Sequence, residues 1–151
     1  MKKTILIVAL LVGFVASGVA QSRSIGLRSF QEVSYQHGFG SSNMLEIDGG
    51  FFNTGLQATA TYIWLFPIDW DYEGSWNWYV GPGAYAGIRS NTNNNDGLFI
   101  GAAGMIGIEY NFWFPLQLSI DYRPTIALFN SNNTPFGFYS NTVGLGVRYI
   151  F

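Results

Sequence analysis

Beyond its first twenty residues the chain alternates apolar and polar side chains in steps of two, and no window repeats at the 3.6 residues of a helix. A strand sends successive side chains to opposite faces, so this period specifies two-faced strands. In the terminal TVGLGVRYIF, Val143, Leu145, Val147, Tyr149 and Phe151 form one row, opposed by Thr142, Gly144, Gly146, Arg148 and Ile150. In LQLSIDYRPTIAL, Leu116, Leu118, Ile120, Tyr122, Pro124, Ile126 and Leu128 oppose Gln117, Ser119, Asp121, Arg123 and Thr125. Further back, Ile106, Ile108, Tyr110 and Phe112 oppose Gly107, Glu109 and Asn111, while Leu56, Ala58, Ala60, Tyr62, Trp64 and Phe66 oppose Gln57, Thr59 and Thr61. Eight strands are expected, near 24–30, 33–39, 44–52, 56–66, 76–89, 98–112, 116–128 and 138–151. Turn signals such as GFGSSN, PIDWDYEGS, NTNNNDG and NSNNTP separate them. The break at SFQE is the least marked, and the first two segments are either separate strands or one long bent strand.

The first twenty residues follow another rule. Lys2 and Lys3 precede an apolar run from Ile5 to Ala16, and Gly18 and Ala20 close it with small residues where a signal peptidase reads. This is the pattern of a secretory signal over 1–20, leaving one domain over 21–151. The apolar run is shorter than the ~20 residues a spanning helix needs. The chain has no cysteine, so neither disulfides nor a lipid-modified cysteine enter the fold. Both lysines lie in the signal, and what remains carries five arginines against nine acids without a basic patch, which argues against nucleic acid as a partner. Charged residues make up only 11% of the chain, whereas soluble domains carry about 25%. A surface so poor in charge suits a protein much of whose exterior never meets water.

Two orientations of the rows compete. In a soluble barrel of the lipocalin kind the apolar rows turn inward; in a transmembrane barrel they face lipid and the polar rows fill the lumen. The polar rows are rich in glycine and poor in the lysine and glutamate that coat a wet surface. Aromatic residues of the apolar rows gather at strand ends, as in an interfacial girdle: Tyr62, Trp64, Phe66, Trp76, Trp78, Tyr110, Phe112, Tyr149 and Phe151. So many large rings at one end would overfill the core of a small barrel. The expectation is therefore an all-β, closed, antiparallel eight-stranded transmembrane barrel, apolar rows outward.

The stretch GIEYNFWFPLQLSIDYRPTIAL with GLGVRYIF, and with it NWYVGPGAYAGI and SIGLRSF, resembles the small eight-stranded bacterial outer-membrane barrels of the OmpX/OmpA type over about 24–151. The terminal Phe151, with Tyr149 two places earlier, is similar to the signal that barrel-assembly machinery recognises in that class. The resemblance implies export through the periplasm, insertion among outer-membrane lipids and both termini on the periplasmic side. Turns near 40–43, 67–75 and 112–115 would then be periplasmic, and loops near 30–33, 53–55, 90–97 and 129–137 external. It brings no catalytic residue.

Arg28, Arg89, Arg123 and Arg148 fall on inward rows, as do Glu46, Asp48, Glu109 and Asp121. Such a set makes either a selective ion pathway or a hydrogen-bonded plug. Eight strands enclose just enough room for side chains, and buried charges persist when paired, which favours the plug. Arg148 and Asp121 are a candidate pair. Asp69, Asp71 and Glu73 resemble the first half of a calcium loop, but Val80 stands where a bidentate glutamate is required. Ser34 and His37 are three apart and fall on opposite faces of a strand, so they cannot act together as nucleophile and base. No cofactor motif is present. The function expected is structural or surface-interacting, non-enzymatic, with no ligand specified; a lipid-modifying barrel enzyme and a soluble carrier are the alternatives.

Overall fold

Strand β1 (Arg23–Arg28) is hydrogen-bonded on one side to β2 (Glu32–Gly38) and on the other to β10 (Val143–Ile150), so the first and last strands close the sheet on itself. Between them run β3 (Asn43–Phe52), β4 (Gly55–Ile68), β5 (Ser75–Arg89), β6 (Gly97–Asn111), β7 (Leu116–Tyr122), β8 (Thr125–Asn130) and β9 (Phe138–Tyr139). The computed structural model describes residues 22–52, 55–70, 73–89, 97–130, 138–139 and 143–151; for Phe52, Arg89, Asn130, Phe138 and Tyr139 it describes the backbone alone. The export signal expected over 1–20 lies outside these residues.

All pairings are antiparallel; most join neighbours in sequence, while β6 also pairs with β8, β7 pairs with β10, and β10 returns to β1. β7 and β8 make one stave of the barrel and β9 and β10 another, so the ten segments form an eight-stranded closed barrel, and no described residue is helical. The segment expected as one strand over 116–128 is broken at Arg123–Pro124, because proline has no N–H to give to the ladder. The Pro124 carbonyl still accepts from the Gly104 N–H at 2.9 Å, so the stave runs on through the break. The final expected strand, 138–151, divides into β9 and β10.

The first break is a true turn. Ser29 and Phe30 both adopt left-handed backbone (φ 53° and 58°), and the Gln31 N–H donates to the Arg28 carbonyl at 3.3 Å. Two left-handed central residues match the right-handed twist of the flanking strands, although each side chain there costs about 1–2 kcal/mol. The turn sets Glu32 directly opposite Arg28.

The ladder closes with a stagger. Followed one way from Glu46 it passes Thr61, Gly83, Ala103 and Thr125 to reach Tyr139; followed the other way it passes Gln36 and Ser24 to reach Ile150. Both ends land on the same stave at different heights, the register offset that tilts strands in a closed barrel.

Apolar rows point out on every stave: Ile25 and Leu27, Val33, Ile47, Leu56 and Trp64, Trp78 and Ile88, Ile106 and Ile108, Leu118 and Ile120, Leu145 and Val147 are all exposed. Polar rows are buried. Glycines on the inward rows leave room for large side chains that cross the lumen. A Cβ at Gly107 would stand 2.6 Å from the Tyr79 ring, and one at Gly144 would run into the Arg28 guanidinium.

Candidate functional site: the charge-filled lumen

Because each inward row comes from a tilted strand, side chains from seven of the strands converge at the centre. Arg123, at the β7–β8 break, donates to Asp48 Oδ2 on β3 at 2.6 Å and to both Glu32 oxygens on β2 at 2.6 and 2.7 Å. Arg28 on β1 shares Glu32 from its other side (3.0 Å) and grips Asp121 on β7, with Nε 3.0 Å from Oδ1. Asp48, Arg123, Glu32, Arg28 and Asp121 thus form one continuous chain of ion pairs, all buried.

A second assembly surrounds Arg148. It stands 3.0 Å from Glu46 and donates to Ser34 Oγ at 2.9 Å, Ser119 Oγ at 2.7 Å and Gln117 Oε1 at 3.4 Å. Glu46 also accepts from Gln36 Nε2 at 2.6 Å, and Gln36 accepts from Ser24 Oγ at 2.7 Å. Glu109 accepts from Asn77 and Asn111 on one oxygen and from Gln117 on the other. Charge-assisted bonds of this kind are about twice as strong as neutral ones. A carboxylate left alone in such a place is expensive, so the network holds together or fails together.

Of the eight residues expected in the lumen, Arg28, Glu46, Asp48, Glu109, Asp121, Arg123 and Arg148 are all buried there. The side chain of Arg89 lies outside the described residues. The pairing differs from expectation: Asp121 belongs to Arg28, and Arg148 belongs to Glu46. Arg148 and Asp121 sit on adjacent staves, but the Gly144 position beside Asp121 has no side chain and the Arg28 guanidinium fills that space. Glu32 was missed. Its signal was parity with Ser34 and Gln36 on β2, hidden because SFQE reads as a loop. The lumen also holds an apolar cluster of Met44, Ile63, Tyr79 and Met105, with Leu65 packed against it.

Ser34 and His37 are on opposite faces. Ser34 is bound by Arg148, whereas the imidazole lies outward, 3.4 Å from the Tyr35 hydroxyl and 5.0 Å between ring centroids from Phe39. Among the described residues no three His, Cys, Asp or Glu side chains gather as metal ligands; Asp71 of the acidic turn and the Asn-rich 91–96 segment lie outside them.

On the outer wall the rings touch in series at the end where β1 begins and β10 ends. Trp70, Trp76, Tyr110, Phe112, Phe114 and Trp113 follow one another with centroids 4.6–5.1 Å apart, and Phe66 stacks on Trp78 at 4.3 Å. Phe51 and Phe129 face out at the opposite end. The Phe151 backbone pairs with Arg23 in both directions, at 2.8 and 3.3 Å, and the side chains of Tyr149 and Phe151 are exposed. Comparison with protein-family models, curated proteins and solved structures finds no match to this chain.

Proposed function

We propose that this protein is an integral outer-membrane barrel whose lumen is a side-chain plug, serving a structural or surface-interacting role rather than conduction or catalysis. The observation that carries the reading is the inversion of its two surfaces: apolar rows exposed on every stave, charges and amides buried. In water that arrangement would present a continuous apolar wall far beyond the few hundred Å² a soluble monomer exposes. In lipid it is the stable one, since closure satisfies the backbone and the outer rows meet hydrocarbon. The aromatic series at the end where β10 finishes suits a bilayer interface, where rings sit between hydrocarbon and water. A soluble carrier needs the opposite orientation, with its apolar rows lining a cavity. Outer-membrane lipids are then the principal partners, with assembly machinery engaging Tyr149 and Phe151 during insertion from the periplasm.

Ile120→Arg tests the reading, because the two environments give different magnitudes. Ile120 is 51% exposed on the outer wall. At a water-facing position the change costs within about 0.5 kcal/mol, whereas near a bilayer midplane it costs about 2–4 kcal/mol. Reversible urea unfolding from lipid vesicles should give the larger figure, and fractionated cells should hold the unmodified protein in the outer membrane. A cost near zero, or recovery of the protein in the soluble fraction, would overturn the proposal.

A further inference from the structure

The lumen is not the same all the way round. Met44, Ile63, Leu65, Tyr79 and Met105, which make its apolar cluster, all belong to β3, β4, β5 and β6. On β1 and β2 every inward position is polar or glycine: Ser24, Gly26 and Arg28, then Glu32, Ser34, Gln36 and Gly38. β7 continues the pattern with Gln117, Ser119 and Asp121, and β10 with Gly144, Gly146 and Arg148 before Ile150 at its end. These four strands are consecutive in the wall, in the order β2, β1, β10, β7, and enclose the seam where β1 meets β10. They are also short, six to eight residues, whereas β4, β5 and β6 run for 14 or 15.

Charge is divided the same way. Among the described residues the buried arginines are Arg28 on β1, Arg123 directly after β7 and Arg148 on β10, all on the seam side. Half-buried Arg23 adds another positive charge at the start of β1. The anions that hold the buried three are Glu32 and Asp121 from within that side and Glu46 and Asp48 from β3. Glu109 on β6 binds Gln117 of β7. Asp48 also lies within electrostatic reach of Glu46 and Glu32, and the Tyr79 hydroxyl of β5 within reach of Asp121, Glu46, Arg148 and Glu109. The β3–β6 side is therefore held by long ladders and apolar contact, and the seam side by ionised carboxylates.

We infer that the seam side is an acid-released segment of the barrel wall. Guanidinium groups keep their charge throughout the ordinary pH range, while carboxylates lose theirs as pH falls through about 4. Above that range the ion pairs are complete and the seam is locked. Below it, Arg28, Arg123 and Arg148 remain as like charges on adjoining strands, and a buried charge without its partner is costly. What the carboxylates contribute is thus present at neutral pH and lost in acid. Strands β4, β5 and β6 keep both of their supports, so β1, β2, β7 and β10 loosen first and water enters the lumen from that side. The left-handed turn at Ser29 and Phe30 lies on the same side and lowers its local stability further. The inference is independent of the membrane reading, since it needs only the folded barrel.

The test is residue-resolved amide hydrogen exchange on the protein refolded in neutral detergent, with rates corrected for the intrinsic pH dependence of exchange. It compares neutral pH with about pH 3, below the ordinary carboxylate values. Protection of β1, β2, β7 and β10 should fall at least about tenfold more than that of β4, β5 and β6, the effect of a one-unit difference in a single carboxylate between the closed and open forms. Glu32→Gln keeps the shape and removes the charge that Arg28 and Arg123 share. Its seam protection should be lower at neutral pH and should fall less on acidification. Asp121→Asn takes its place should that variant fail to fold. Equal loss on every stave, no loss in acid, or a folded variant whose seam responds to pH as the unmodified protein does would overturn the inference.

Discussion

Replacing Arg28 by methionine removes the charge that joins two carboxylates and fills some of the volume it leaves. Glu32 keeps Arg123 at 2.6 Å, so its charge stays compensated. Asp121 does not, because the hydrogen bonds it accepts from described side chains come from Arg28 alone. The perturbation therefore amounts to one buried carboxylate stranded without its cation, which costs about 3–5 kcal/mol. Adding Asp121→Asn neutralises the stranded group, and the coupling between the two substitutions should reach about 1–3 kcal/mol. Arg148→Leu with Asp121→Asn is the control: Arg148 is held by Glu46, Ser34, Ser119 and Gln117. That pair should be additive within about 0.5 kcal/mol. Reversible urea unfolding in detergent micelles, followed by tryptophan fluorescence with equal slopes across the set, provides the free energies. A coupling for the Arg148 pair as large as for the Arg28 pair would refute the connectivity. A cost below about 1 kcal/mol for Arg28→Met alone would refute the claim that Asp121 is a buried charge held by its partner.

The purified barrel should give no stable single-channel current in a planar bilayer, because a hydrated ion would have to break through both networks of charge-assisted bonds; steady currents would show a pore. Gly107→Ala should destabilise by about 1–3 kcal/mol as its Cβ strikes the Tyr79 ring, while Gly104→Ala, with only Pro124 Cγ at 3.7 Å, should be neutral or slightly stabilising; equal urea midpoints would contradict both. Phe151→Ala keeps the backbone bonds to Arg23 and should slow outer-membrane assembly in cells with little change in refolding free energy, whereas unaltered insertion would remove the terminal aromatic residue from the assembly signal.

Alternation determined that this chain forms strands and which residues share a face, and with the turn signals it led to eight of them, the first break excepted, which only the turn at Ser29 and Phe30 decided. Those properties depend on local backbone geometry, in which parity along the strand assigns each side chain to a side. Parity also assembled seven of the lumen residues without any knowledge of their partners. It could not carry Glu32 into the set, because that needed the left-handed turn at Ser29 and Phe30 that sets Glu32 opposite Arg28. Nor could it choose among the arginines for Asp121. In a closed barrel the stagger decides which heights coincide across the lumen, and Glu46 meets Arg148 from the far side of the wall. Composition likewise carried no sign that Glu109 would be solvated by amides while its fellow carboxylates took arginines. That outcome depends on three neighbouring strands delivering Asn77, Asn111 and Gln117 to one level. Faces are a property of the single strand and can be read along it; partners are a property of closure and exist only once the tilted strands have met.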